Sequence, residues 1–142
     1  MKKSCYILLI SCLFSFSSVI KGGDINDNYI SHFKNRFERT SKVALMHIPV
    51  EPGTEQVVYI EVKRNGELFK MDVENPVKSK VFYENINLLI KLAAPYSQFP
   101  SGFSKNIKLS RLKINFIVSD FKKTTVKSIK LVELKDVLAK SH

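Results

Sequence analysis

The sequence predicts an α+β domain in which three antiparallel strands form a small sheet and two helices pack on one of its faces. Three observations support this fold class: two stretches with helical periodicity, an Asn-Gly pair between two alternating runs, and a further alternating run between residues 107 and 118. Their order along the chain is α-β-β-α-β. Two helices cover one face of such a sheet, and an antiparallel sheet tolerates water on the other face.

The first helix is predicted from apolar residues at steps of three and four. These residues are Tyr29, Ile30, Phe33, Phe37 and Ala44. Residues 24–28 precede them with Asp and Asn, which are preferred helix caps. The spacing predicts a helix of about four turns that buries one face and turns its charged residues to water.

The hairpin is the most specific local signal. Asn65-Gly66 is the preferred pair of a two-residue type I′ turn, because both central residues need a positive φ. With this turn, the numbers of paired residues sum to 131. The predicted pairs are Val58 with Val73, Ile60 with Met71 and Val62 with Phe69 on one face, and Glu61 with Lys70 and Tyr59 with Asp72 on the other. One turn thus predicts an apolar face and an ion-paired face.

A second helix and a third strand follow the hairpin. Pro76 ends the second strand, because proline lacks the N–H that a strand pair needs. Residues 78–94 return to a helical period with a wide apolar stripe, so we expect this helix to be largely buried. Its apolar residues are Val81, Phe82, Ile86, Leu88, Leu89, Ile90, Leu92 and Ala93. Residues 107–118 then alternate, with Leu112, Ile114, Phe116 and Val118 pointing inward and Lys113 and Asn115 outward.

Residues 1–23 are typical of an export signal. Lys2 and Lys3 form a basic start, and the mostly apolar run that follows is short for a spanning helix. Two alternatives stay open: an uncleaved N-terminal anchor, and a lipoprotein acylated at Cys12, which ends the lipobox-like run Leu9-Ile10-Ser11-Cys12. Cys5 and Cys12 are the only cysteines, so a disulfide scaffold, a Cys-based zinc site or a thiol enzyme is disfavoured for the remainder of the chain.

Most of the positive charge belongs to the two ends of the chain. The whole sequence has 142 residues and a formal charge of +10. Removing residues 1–23 lowers the charge to +7, and residues 121–142 carry +4 of the remainder. Residues 24–120 therefore form a nearly balanced domain at +3. We expect no nucleic-acid partner for an exported protein, and a lysine-rich surface able to attract anionic lipid or acidic partners.

Residues 121–142 form a basic C-terminal extension in which neither period dominates. We predict a strand near residues 126–132 followed by a helical turn near 133–140. Two roles stay open for this segment: it covers an edge of the sheet, or it forms a basic amphipathic patch against lipid or a partner.

The sequence predicts no enzyme, cofactor or metal site. It contains no P-loop, G-x-G-x-x-G, H-E-x-x-H or G-x-S-x-G motif. His32 and His47 have no acidic or cysteine companions at the spacing of metal ligands, and His142 ends the chain. The hairpin carboxylates Glu61 and Glu67 have basic partners at predicted pairing positions, which favours a charged surface over general acid or base chemistry.

Several motifs occur in an order that resembles the C-terminal periplasmic domain of TonB and TolA proteins, in a TolA-like variant that stands alone without a long spacer. The stretches are VVYIEVKRNGELFKMDV, INLLIKLAAPYSQFP and LSRLKINFIV, and the helix at 29–42 matches the leading helix of TolA-like members. The resemblance implies a non-enzymatic envelope protein, periplasmic or otherwise exported, that binds segments of other envelope proteins.

The resemblance also implies a binding mode, namely strand addition at an open sheet edge. We expect the third strand to be this edge. The predicted partner-binding residues are Leu109, Arg111, Lys113, Asn115 and Ile117. The alternative function is a membrane-anchored or lipidated accessory protein whose basic tail contacts lipid headgroups.

Overall fold

The computed structural model describes residues 25–45, 47–120 and 123–136. Helix α1 covers residues 25–41, and α2 is Lys80–Ala93. The strands are β1 (Glu55–Lys63), β2 (Leu68–Glu74), β3 (Leu109–Asp120) and β4 (Lys123–Lys135). The predicted export signal, its anchor and lipoprotein alternatives, and the end of the C-terminal extension lie outside the described residues. No helix within the described ranges is both long and apolar enough to cross a membrane.

The sheet has four antiparallel strands in the order β2-β1-β3-β4, so the predicted three-stranded sheet is wrong. The additional strand is β4, which most of the predicted basic extension forms. Residues 133–135, predicted as the start of a helical turn, belong to this strand.

Irregular pairing explains why the alternation of β4 is hidden in the sequence. Its inward residues Val126, Ile129 and Leu131 lie opposite Phe116, Ile114 and Leu112 of β3. The register shifts between Asn115 and Phe116, and this shift inserts an extra residue into β4. The apolar residues of β4 consequently recur at mixed steps of three and two, which match neither a regular strand nor a helix.

The hairpin has the predicted register over most of its length but a different turn. Val58, Tyr59, Ile60 and Glu61 pair as predicted, with Val73, Asp72, Met71 and Lys70. The Gly66 N–H donates to the Lys63 carbonyl at 2.9 Å, and the Lys63 N–H donates to the Glu67 carbonyl at 2.8 Å. Three residues, 64–66, therefore connect the strands, and only Gly66 among them has a positive φ. The predicted type I′ turn is wrong.

The three-residue turn would shift the strand pairing by one residue, and a bulge in β2 restores the predicted register. Val62 pairs with Leu68, so the predicted pair of Val62 with Phe69 is wrong. Phe69 is the extra residue of this bulge and remains 37% exposed. The turn adds one residue and the bulge shifts the pairing back by one, which is why the four inner pairs match the prediction.

The core lies between the two helices and one face of the sheet. Tyr29, Phe33 and Phe37 of α1 are buried, as the periodicity predicted. Phe33 stacks on Tyr96, which lies in the loop between α2 and β3, with 4.8 Å between ring centroids. Phe37 contacts Phe116 of β3 edge-on at 5.6 Å. Aromatic pairs of this kind add to the stabilisation from burial alone.

Helix α2 begins at a side-chain cap and ends against α1. The Ser79 hydroxyl accepts a hydrogen bond from the Phe82 N–H at 3.2 Å, which satisfies one of the free donors of the first turn. At the other end, Arg36 of α1 donates to the carbonyls of Ala93 and Pro95. Leu92 is 50% exposed, so the buried stripe is narrower than predicted.

Candidate partner-binding site

The five predicted partner-binding residues lie on β3, in the interior of the sheet. The strand pairs with β1 on one side and with β4 on the other, so the expectation that it forms the sheet edge is wrong. Its backbone groups are already used in these two ladders, and no peptide strand can add there without displacing β1 or β4.

The side chains of these residues share the face of the sheet that lies opposite the helices. Leu112, Ile114, Phe116 and Val118 alternate with them and belong to the core, so the intervening residues point the other way. We call this second side the open face. Arg111, Lys113, Asn115 and Ile117 are half-buried there, whereas Leu109 is fully buried.

A network of ion pairs joins all four strands across the open face. Arg111 of β3 contacts Glu61 of β1 at 3.1 Å and Asp72 of β2 at 3.5 Å. Lys135 of β4 forms a second ion pair with Glu61. The Arg111 guanidinium also lies 4.6 Å from the centre of the Tyr59 ring, a cation–π distance. Glu61 thus holds two cations of neighbouring strands, and both ion pairs use the same carboxylate oxygen, Oε1.

Glu61 is the central acid of the network and is only 2% exposed. Burial alone would raise the pKa of this carboxyl, but hydrogen bonds and charge from Lys135 and Arg111 outweigh it and hold the pKa below its ordinary range. An acid held ionised by two cations suits a structural role better than proton transfer near neutral pH, for which the pKa should lie close to the working pH.

Two sheet edges are free in the described part of the chain, β2 and β4. Strand β2 has 7 residues, contains the bulge at Phe69, and pairs its own charges through Lys70 and Asp72 at 3.6 Å. Strand β4 has 13 residues, of which four are lysines and one is an acid. The longer and more strongly charged edge is therefore β4.

A cleft of about 370 Å³ runs between α1 and β4. It is lined by Lys34, Glu38 and Lys42 from α1 and its end, and by Lys123, Val126 and Lys127 from β4. We call this the lysine cleft. On the β4 side, Lys127 is paired with Glu55 of β1, and this ion pair lowers the pKa of the Glu55 carboxyl below its ordinary value.

The helical spacing that places Lys34, Glu38 and Lys42 on one line is visible in the sequence, because they recur at steps of four. The strand opposite them was predicted in part, near residues 126–132, which lie within β4. Its pairing with β3 was not predicted, and without that pairing nothing placed the lysines of residues 121–142 beside α1.

No cluster of three or more His, Cys, Asp or Glu residues suited to a metal ion occurs in the described ranges. His32 and His47, the two histidines among them, are exposed.

No family model, curated protein or solved structure matches this chain. The resemblance to TonB and TolA domains therefore stays a prediction from sequence motifs.

Proposed function

We propose that this chain is an exported, non-enzymatic binding module of the cell envelope that captures an extended segment of a partner protein by strand addition to β4. The observation that carries the proposal is the position of β4 at the edge of the sheet, where, within the described ranges, it pairs with β3 on one side only. Alternate N–H and C=O groups of an edge strand point away from the sheet and are available to a peptide backbone.

Three features of the molecule favour β4 over β2 as the edge that is used. Its 13 residues offer a longer hydrogen-bonding ladder than the 7 of β2. The lysine cleft beside it gives room for side chains of an added strand on the helical side of the sheet. Its lysines also prevent indiscriminate pairing, since charged edges are a known protection against aggregation.

The proposal keeps the binding mode expected from the sequence but moves it by one strand. The ion pairs of the open face then support the sheet to which the partner adds. Arg111 of β3 and Lys135 of β4 both pair with Glu61 of β1. A partner added to β4 therefore extends a sheet whose strands are already cross-linked by buried charge.

Hydrogen exchange tests the added strand directly. We suggest the full chain, mixed in turn with three hexapeptides in which threonine alternates with glutamine, glutamate or lysine. Strand addition at β4 protects alternate amides between residues 123 and 135 with at least one peptide and leaves β2 unchanged. Protection confined to β2, or no protection with any of the three, contradicts the proposal.

Export is tested by the intact mass of the protein recovered from the envelope fraction. A mass that lacks a leader ending between Ser17 and Gly23 supports an exported, released domain. Full mass in the membrane fraction contradicts release and favours the anchored alternative, whereas a lipid increment on Cys12 favours the lipoprotein.

A further inference from the structure

We infer that the captured segment is acidic, with carboxylates at alternate positions that enter the lysine cleft. This inference rests on the proposed strand addition to β4 and names the chemistry of its partner. It starts from the positive charge of the lysine cleft, a feature that backbone hydrogen bonding to β4 does not require.

Three of the four lysines that line the cleft have no carboxylate partner among the described residues. Lys34, Lys42 and Lys123 take part in none of the ion pairs that the described chain contains. Glu38 is the single acid in the lining and forms no ion pair with Lys34 or Lys42, although it lies one helical turn from each. By contrast, the open face pairs Glu61 with two cations. The cleft is therefore the unneutralised positive region beside the free edge.

The dimensions of the cleft match the side-chain spacing of an extended peptide. Lys34 and Ser41, which both line the cleft from α1, are seven residues apart, which is about 10 Å along the helix axis. Alternate residues of a strand lie about 7 Å apart and point to the same side. Two carboxylates at positions i and i+2 of an added strand thus fit within the cleft, whereas carboxylates at adjacent positions point to opposite faces.

A second copy of this chain is a poor occupant of the same edge. Pairing two β4 strands would bring together two segments that each carry four lysines and one acid, and of these lysines Lys123 and Lys130 form no ion pair among the described residues. Like charges on paired strands destabilise a sheet. Charge complementarity selects a partner segment of opposite sign.

The test compares peptides that differ only in charge or in order. We suggest titrating the labelled full chain with the alternating Thr-Glu hexapeptide, its Thr-Gln counterpart, and a peptide of the Thr-Glu composition with its glutamates at positions 1, 2 and 5, so that no two glutamates are two residues apart. We expect the alternating acidic peptide to bind β4 about five-fold more tightly than the neutral one, since two partly exposed ion pairs contribute about 1 kcal/mol together. The difference should shrink in high salt.

Charge reversal in the cleft tests whether its lysines cause the preference, and the same reversal outside the cleft is the matched control. The double variant Lys34→Glu with Lys42→Glu should lose the preference for the acidic peptide and retain binding of the neutral one. Lys78→Glu with Lys105→Glu makes the same change in net charge at exposed positions outside the cleft and should keep the preference. Circular dichroism checks that both variants are folded.

The possible outcomes distinguish a failure of this inference from a failure of the proposed strand addition. Equal binding of the acidic and neutral peptides at β4 overturns the inference and leaves strand addition standing. Equal binding of the alternating and reordered acidic peptides, or the same loss in both double variants, also overturns it, because general attraction to a basic protein then suffices. Absence of binding by every peptide overturns both.

Discussion

Glu61 and Arg111 form a salt bridge of 3.1 Å between neighbouring strands, on the face of the sheet that carries no helix. The acid is almost fully buried, whereas Arg111 keeps 22% of its side-chain area exposed. Lys135 reaches the same carboxylate from β4. A single acid therefore links β1 to the two strands that follow α2 in the chain.

Replacing this acid should weaken the whole sheet. We expect Glu61→Gln to lower the free energy of unfolding by about 2 kcal/mol, because two cations lose a charged hydrogen-bond partner. Glu67→Gln removes the acid of the exposed Lys63–Glu67 pair and should cost less than about 0.5 kcal/mol. Urea unfolding at pH 7 measures both. Similar values for the two variants would show that the buried network contributes little.

The same variant should change the acid sensitivity of the protein. The folded-state pKa of Glu61 lies below its unfolded value, which is about 4.3 for a glutamate. The ionised acid therefore contributes stability that is present above about pH 4.3 and is lost as the pH falls through the folded pKa. The stability difference between the wild type and Glu61→Gln should shrink as the pH is lowered below about 4.3. Urea unfolding across this range checks it, and a constant difference would contradict the assignment.

A buried hydroxyl pair joins α1 to β3. The Tyr29 hydroxyl lies 2.8 Å from the Ser110 hydroxyl, and burial raises the pKa of Tyr29 to about 12 although the Ser110 hydrogen bond lowers it. We expect Tyr29→Phe and Ser110→Ala each to cost about 1 kcal/mol. The double variant should cost less than their sum, because neither hydroxyl is then left unpaired. Thermal or urea unfolding of the four proteins gives the coupling energy, and strict additivity would exclude it.

Gly66 and Gly53 form a matched pair for a test of close packing. Both have a positive φ, +93° and +92°, but a Cβ at Gly66 would meet the Tyr96 carbonyl oxygen at 2.1 Å, whereas one at Gly53 would meet nothing within 4 Å. We expect Gly53→Ala to cost about 1–2 kcal/mol from backbone strain alone. Gly66→Ala should cost about 3 kcal/mol or more, since it adds a clash with backbone. Unfolding measurements that rank the two variants equally would contradict this account.

The contact at Gly66 also explains why the hairpin could be predicted only in part. The Tyr96 N–H donates to the Gly66 carbonyl at 2.8 Å, so the loop after α2 rests on the turn. Asn65-Gly66 correctly marks the turn, but local sequence rules for two-residue turns do not include a loop thirty residues later in the chain. The alternation of polar and apolar residues still determined which residues of β1 face the core.

The candidate site, like the hairpin, could be predicted from the sequence only in part. Alternation correctly predicted that Lys113 and Asn115 point away from the core. Whether β3 lies at an edge depends on the strand that pairs beside it, and the bulges of β4 hide that strand's periodicity. The predicted binding residues were therefore placed on the correct face and on the wrong strand for strand addition.

The sequence by itself determined the local features of this protein: the helical stripe of α1, the buried face of α2, and the inward and outward sides of β1 and β3. These follow from periodicity, which acts between residues close in the chain. Only the tertiary structure decided which strand is the edge and which lysines face α1 across a cleft. Both depend on pairing between distant segments, where bulges and loop contacts shift the register and local patterns lose their meaning.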